Sequence, residues 1–518
     1  MKKLPIGTQS FENLRSNDCL YVDKTAVIQR MIASGRVYFL SRPRRFGKSL
    51  LISTMKSLFE GRKALFEGLS IHDTWDWSQN CPVITIDWTL INHSTPEKME
   101  KSLISYLKEI ARDYQITLAS ESAPDCFRAL IKSLHDRSGQ KTVVLIDEYD
   151  KPVTAHLFDP LLDRIRTAVH DFYQVLKGSD MYLRFIFLTG VSKFSGHSIF
   201  SALNHPDDIT LQKPYASICG YTQEELESNF SEYIDSAADC LKMTKAHLLE
   251  RIRYWYNGYT WDGQTAIYNP FSTLQFFSFR RFNNYWFRTG TPTFLIDMLQ
   301  RRNRIDAVLE PFEVNESVFD GYNPQDIGEV PLLFQTGYLT VRQMELIDGR
   351  ARYTLGVPNS EVREAFMTCL LNAYSKYPVE SIQPMIDRIK RQISDGDASA
   401  LEQNLRLLLA YIPYRLHIKK ESYYHSLFLL LMKMLEFDIR GEILTNLGRI
   451  DAIWRQPGLT VVAEIKYHAG KKTDTLLNEA LEQIRDRRYY EACLDGRVML
   501  MAIAFTGREI KCKMENIR

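Results

Sequence analysis

Gly47-Lys48-Ser49 closes the tract Ser41–Ser49, SRPRRFGKS, directly after the apolar run Val37–Leu40. It matches the second half of G-x-x-x-x-G-K-[ST]. In that pattern backbone N–H groups and the lysine cradle phosphates, and the hydroxyl reaches Mg²⁺. The amphipathic stretch SLLISTMKSLFEG follows, so a helix N-terminus would add its partial positive charge to the anion site. The first glycine of the pattern is replaced by Arg42, and Pro43 is positioned to supply the turn that glycine otherwise permits. A basic surface loop would carry the same arginines. The strand before the tract and the helix after it favour a nucleotide site.

An acidic partner lies downstream in KTVVLIDEYDKP. Val143–Ile146 is apolar without alternation, the mark of a parallel strand buried on both faces. At its carboxyl end Asp147 is placed to hold a Mg²⁺ that bridges phosphates, and Glu148 to polarise the attacking water. A third strand, LRFIFLTG, ends in Thr189, where a group sensing the γ-phosphate would stand. A strand-capping threonine reads the same way.

A second constellation fills the C-terminal part. The helical stripe of ESYYHSLFLLLMKML (Glu421–Leu435) precedes three strand-like segments, GEILT, GRIDAIW and LTVVAEIKY. A helix, TLLNEALEQIRDRRYYEA, and the apolar strand RVMLMAIAF complete an αβββαβ order. Positions two apart on a strand share a face, so Glu464 and Lys466 point the same way, and Asp451 on the neighbouring strand can approach them. Two carboxylates suit Mg²⁺, a hard cation that prefers oxygen. The metal would activate water for attack on a phosphodiester, and Lys466 would steady the developing charge. This arrangement resembles the PD-(D/E)xK nuclease superfamily. The resemblance implies a further acid at Glu421 and a glutamine at Gln483, part of a Q-x-x-x-Y element. Here the tyrosines, Tyr489 and Tyr490, stand farther on than that element has them. Glu442 reads as a solvent-facing strand residue and His425 as a packed or helix-surface histidine.

The elements that must position these groups exceed one core. A chain of 518 residues is longer than the ~250–300 at which single cores stop growing. The expected division is an α/β P-loop domain with a parallel sheet (1–205), a helical and winged-helix-like region (206–400) and a restriction-endonuclease-like domain (401–518). In the middle region VPLLFQTGYL reads as a helix and the following strands as a hairpin turning at Asp348-Gly349. The aromatic WYNGYTWDG tract lacks basic interleaving, so it reads as core and not as a base-stacking platform. A net charge of +2 excludes a strongly basic, histone-like binder but leaves room for a local basic groove. The cysteines are scattered without C-x-x-C spacing, as in a reduced cytoplasmic protein. No apolar run reaches the ~18 residues of a membrane span.

The segments LPIGTQSFENLR, LYVDKT, YFLSRPRRFGKSLL, VVLIDEYDKP, LTGVSKFS and WYNGY together resemble the predicted AAA-ATPase-like family, commonly fused to a PD-(D/E)xK domain. The resemblance implies that Arg44, Arg45, Phe46, Gly47, Lys48 and Ser49 bind phosphates while Asp147 and Glu148 handle metal and water. It also implies that Asp451, Glu464 and Lys466 form a nuclease centre. The expectation is therefore an ATP-binding and ATP-hydrolysing protein, with Mg²⁺, that governs cleavage of nucleic acid. DNA is the expected substrate and RNA the alternative, with mobile-element or anti-phage defence as the role suggested by analogy. The competing expectation is a nucleotide-dependent module that grips nucleic acid or a protein without cutting. A kinase using the same loop ranks last, for want of an acceptor pocket. An arginine donated by a second copy in a homo-oligomer would complete the ATPase site, with Arg164, Arg166 and Arg184 among the candidates; the sequence itself does not fix the oligomer.

Overall fold

Four apolar runs and one short addition form a parallel sheet in the computed structural model: β1 (Val37–Ser41), β2 (Val83–Asp87), β3 (Thr142–Asp147), β4 (Leu183–Gly190) and β5 (Asp207–Asp208). The order is β2-β3-β4-β1-β5, and every pairing is parallel. All of β3 is buried, as a strand covered on both faces must be. The structure describes residues 1–157, 159–194, 206–286, 311–319, 328–375, 378–410, 431–435, 438–439, 449–456, 458–468, 471–487, 496–506 and 509–517.

The crossovers are helices with readable starts. Thr95 caps Pro96–Asp113 through the Lys98 N–H, and Ser122 caps Ala123–Ser138 through the Asp125 N–H; each helix has proline in its first turn. Strand β2 is an edge, and two phenols close it. The Tyr114 hydroxyl lies 3.1 Å from both the N and the O of Val83, and Tyr106 donates to the Thr85 carbonyl at 3.2 Å.

After the sheet, Thr222 and Glu225 make a capping box on Gln223–Asn229. The helices Ser231–Leu241, Lys245–Tyr256 and Pro270–Phe279 pack around Phe230, Ile252, Tyr256 and Phe276. The helix Glu329–Thr336 then leads into the hairpin of β7 (Thr340–Ile347) and β8 (Arg350–Gly356), turning at Asp348 and Gly349, both with positive φ. A strand not read in the sequence, β6 (Phe312–Asn315), pairs with the other side of β8.

The C-terminal region is a second α/β assembly. Helices Val379–Asp395 and Ala398–Ala410 precede a mixed sheet. Its strands are β9 (Asp438–Ile439), β10 (Arg449–Gln456), β11 (Leu459–Tyr467), β12 (Arg497–Thr506) and β13 (Glu509–Asn516), in the order β13-β12-β11-β10-β9. Only β11 and β12 run parallel, and the helix Thr473–Arg487 lies between them in the chain, as a crossover requires. By its contacts the chain divides into two compact units, Met1–Gly290 with Pro311–Val362, and a second built on Arg363–Arg518. Among the described residues no helix is long and apolar enough to cross a membrane, and the described cysteines are free thiols.

Candidate functional site

The tract after β1 folds as a tight loop that ends on a helix. Gly47 has φ 90° and caps Lys48–Phe59, a left-handed position that favours glycine. Arg45 also takes positive φ, at 69°. The Lys48 ammonium is buried and donates to the carbonyls of Arg42 at 3.0 Å and Pro43 at 3.1 Å. It therefore spans the loop from the inside, where phosphate oxygens would meet it.

Arg42, the residue in place of the first glycine, is fully buried. Its guanidinium donates to the carbonyls of Ser41 (2.8 Å), Thr210 (2.9 Å) and Tyr215 (3.3 Å) and lies 3.9 Å over the Trp261 ring. Burial pulls its pKa down to about 10. Arg42 is thus a strut beneath the loop. Its neighbours are held from the same side. The Phe46 ring packs 4.8 Å from Tyr259 and 5.5 Å from Trp261, and the Trp286 indole donates to the Arg44 carbonyl at 3.0 Å. At Gly337 (φ 90°) a Cβ would stand 2.8 Å from the Pro43 ring. The side chains of Arg44 and Arg45 are exposed, that of Phe46 is buried, and Ser49 is half-buried. The aromatic WYNGYTWDG tract is a collar around the loop, as a core reading anticipates.

Asp147 ends β3, buried, and faces Asp87 of β2 in register. Burial raises its pKa, opposed by the Ser49 hydroxyl and the Lys48 ammonium and reinforced by Asp87 and Glu148. Glu148 adopts φ 48°, a strained geometry for a side chain that costs ~1–3 kcal/mol and clusters at functional sites. Thr189, in register with Leu40 of β1, is fully buried and its hydroxyl has no hydrogen-bond partner. An orphan hydroxyl, an inward ammonium and a carboxylate beside Ser49 fit a nucleotide phosphate with its cation. Among the described residues no three His, Cys, Asp or Glu side chains converge as a metal site, so phosphate oxygens and waters would complete the shell.

Two residues escaped the sequence reading. Asp150, buried, accepts from the N–H groups of Val191 at 3.3 Å and Ser192 at 2.8 Å, tying the end of β3 to the loop after β4. The last acid of DEYD was its only local signal. Glu361, fully buried, accepts from the Trp286 N–H at 2.7 Å and from Ser272 at 3.0 Å, and burial lifts its pKa to about 7. Asn359 accepts from the Val362 N–H at 3.1 Å at the start of the helix Ser360–Ser375, so Glu361 reads locally as an ordinary first-turn acid. Of the candidate arginines, Arg164 pairs with Glu97 at 2.5 Å on the surface, Arg166 pairs with Asp163 at 3.1 Å, and Arg184 is half-buried with its Nε unpartnered.

In the C-terminal sheet the antiparallel pairing of β10 and β11 opposes position 451 to position 464, and Arg449 to Lys466. The closing pair Gln456↔Leu459 sets this register; counting outward from it gives the opposition directly. Position 464 also stands beside Ala502 of β12, and 466 beside Ala504. Ala502 and Ala504 belong to the cluster under Leu477, Ala480 and Ile484, so the helix Thr473–Arg487 covers the face that carries Glu464. Glu464 is 1% exposed and Lys466 half-buried. Gln483 is on that covering helix, its amide nitrogen buried without a hydrogen-bond partner. One turn earlier Glu479 pairs with Lys471 at 2.9 Å, and the charges of Lys466 and His468 help hold its carboxyl low. A buried carboxylate supplies the oxygen a hard cation takes, and the lysine on the same sheet face carries the charge that suits a phosphate. Glu421, Glu442, His425, Tyr489 and Tyr490 lie outside the described residues.

Residues 5–200 match the family model described as predicted AAA-ATPase, and residues 419–515 match the PD-(D/E)XK nuclease superfamily. A relative from Azotobacter chroococcum mcd 1, an uncharacterized protein in the vnfD 5'region, is 37% identical over 495 residues, covering 94% of this chain and 93% of that protein. The chain belongs to the predicted AAA-ATPase family and carries a C-terminal PD-(D/E)XK nuclease superfamily region.

Proposed function

We propose that this AAA-ATPase family member binds and hydrolyses ATP, and through it governs a Mg²⁺-dependent nuclease acting on DNA in the cytoplasm. The reading is supported by one juxtaposition: the chain carries a buried Lys48 and Asp147 at its loop-bearing sheet and, in its C-terminal sheet, positions 451 and 464 opposed in register.

At the first centre the amides from Arg44 to Ser49 and the Lys48 ammonium hold the phosphates. The Ser49 hydroxyl and Asp147 receive the cation, and Glu148 orients water. The Thr189 hydroxyl is available to the terminal phosphate. Hydrolysis there would change which groups hold Arg44, Pro43 and Phe46 against their aromatic collar. At the second centre Asp451 and Glu464, with Glu421 and Gln483 as further members, hold the metal and orient substrate, and Lys466 lies beside the charge that develops. Mg²⁺, when bound, supplies Lewis acidity and an activated water.

A second reading is favoured by the burial of Glu464 at 1% exposure: a module that grips nucleic acid or a protein under nucleotide control without cutting. A single panel separates the two. Linear, circular and single-stranded DNA and RNA are incubated with Mg²⁺ or Mn²⁺, with and without ATP, beside an ATP-turnover assay. Cleavage lost in Asp451→Ala supports the nuclease. A persistent gel shift without cleavage under every condition supports the binding module.

A further inference from the structure

A cavity of about 300 Å³ opens beside the start of the phosphate loop, with Ser41, Arg42 and Pro43 in its lining. Small-ligand pockets begin at about that size. Its other walls come from the segments at the ends of β4 and β5, from Trp261 of the collar, and from Phe334, Gln335 and Tyr353. All of these residues belong to the first compact unit.

The charged groups on these walls are engaged. Lys193 pairs with Asp208 at 2.7 Å, and the other oxygen of that carboxylate accepts from the Thr210 N–H at 2.9 Å. Arg42 is bonded to carbonyls beneath the loop, and Glu316 is exposed. Two buried polar ends are not engaged. Gln335 is 6% exposed, and its Oε1 accepts from the Lys193 N–H at 3.0 Å. That bond fixes which way the amide lies and leaves Nε2 as a donor. Tyr353, on β8, is 7% exposed, and burial with the charge of Glu316 raises its pKa. Among the described residues neither the Gln335 Nε2 nor the Tyr353 hydroxyl has a hydrogen-bond partner. Both ends border one aromatic cluster, since the Phe319 ring lies 4.7 Å from that of Phe334 and 4.8 Å from that of Tyr353. A buried donor without an acceptor is costly, and a ligand that supplies one recovers that cost.

We propose that this cavity binds a small neutral ring carrying a carbonyl beside an N–H, as an effector distinct from the nucleotide on the loop. The Gln335 Nε2 donates to the carbonyl, the Tyr353 hydroxyl accepts from the N–H, and the phenylalanines meet the ring. A charged ligand gains little here, because Lys193 and Asp208 already satisfy each other. Aromatic carboxamides and lactam nucleobases share this edge. Its influence on ATP rests on the nucleotide reading given above: Pro43 lines the cavity and also abuts Gly337, two residues after Gln335. Ligand and ATP then change each other's affinity by one common factor.

The test is calorimetric titration of the full chain with nicotinamide and uridine, each beside an analogue that lacks the N–H, nicotinate and 3-methyluridine. The parent is expected to bind the first two at least tenfold more tightly than their analogues, and Gln335→Leu and Tyr353→Phe each to lose about tenfold for them. Whichever of nicotinamide and uridine binds more tightly tells a carboxamide from a nucleobase. A parent that binds neither, or that binds the analogues equally well, overturns the site. So do variants that bind as the parent does. If Gln335→Leu fails to fold, Tyr353→Phe, which removes one oxygen atom, decides. The titrations are repeated with ATP and Mg²⁺ in excess. Probes displaced by ATP from the parent and both variants alike have bound at the phosphate loop, and overturn the cavity. Probe affinity that ATP leaves unchanged overturns the coupling alone. A parent that binds the probes but no ATP overturns the nucleotide reading and leaves the cavity standing.

Discussion

In the N-terminal unit the proposed phosphate site is mostly main-chain N–H groups, oriented by a glycine at φ 90° and by the helix that begins at Lys48. In the C-terminal unit the proposed nuclease centre is made of side chains at positions 451, 464 and 466, placed by strand register. A backbone cradle tolerates varied side chains, and Arg42 at the first loop position shows how far that tolerance runs. A register-built site has no such latitude, because a slip of one residue turns every side chain to the other face. The loop needs a support that fixes its backbone, and the aromatic collar with Arg42 beneath provides it. The carboxylates need only two strands in step, and the closing pair Gln456↔Leu459 keeps them so.

The sharpest way to break this contrast is to remove one side chain from each centre. Asp451→Ala is expected to lower metal-dependent cleavage by at least ~100-fold while ATP binding stays as in the parent. Lys48→Ala is expected to lower ATP affinity by about 100-fold, read by calorimetry, while nucleotide-free cleavage persists. If either change disables both readouts in the absence of the other ligand, the centres are not independent.

A subtler test restores the common loop pattern. Arg42→Gly removes three hydrogen bonds and the contact with Trp261, so thermal unfolding should show a loss of about 3 kcal/mol. A neutral or stabilised variant would mean that the loop holds its shape without the strut.

Glu361 probes the collar. Its carboxyl, lifted by burial from 4.5 to about 7, keeps a proton in the folded chain that the unfolded chain releases between those values. Stability from this group is full below pH 4.5 and is lost as pH rises through about 7. Glu361→Gln should flatten that decline, by up to about 3 kcal/mol in denaturant titrations across the window. Parallel curves for the two proteins would remove Glu361 from the account.

The smallest effect is expected at the surface. Arg164→Ala breaks an exposed pair with Glu97 and should shift stability by less than ~0.5 kcal/mol. A large fall in ATP turnover without that shift would identify Arg164 as the arginine given to a neighbouring copy.

Much of the architecture was legible because it is local. Apolar runs mark β1, β3 and β4, and Asp348-Gly349 marks the hairpin turn. Ile465 between Glu464 and Lys466 likewise signals that these two share a face. What stayed hidden depends on partners distant in the chain. RPRR reads as a uniformly basic tract, yet Arg42 is buried because Trp261 and the carbonyls of Thr210 and Tyr215 close over it. Glu361 is buried by Ser272 and Trp286, far upstream. Strands β6 and β13 add to sheets already formed, with alternating polar residues that look like loop until a neighbour pairs with them.

The strand order also sets a timetable for synthesis. β1 is made first yet lies between β4 and β5, paired from Val37↔Ile186 to Ser41↔Gly190 on one side. While the ribosome is still adding the chain that will become β4, β1 has no neighbour in the sheet, and the loop behind it has nothing to anchor its turn. Non-local pairing of this kind folds slowly and leaves strands exposed meanwhile. While β2 and β3 can already pair with each other, β1 therefore waits through much of the chain's emergence as an unpaired hydrophobic strand.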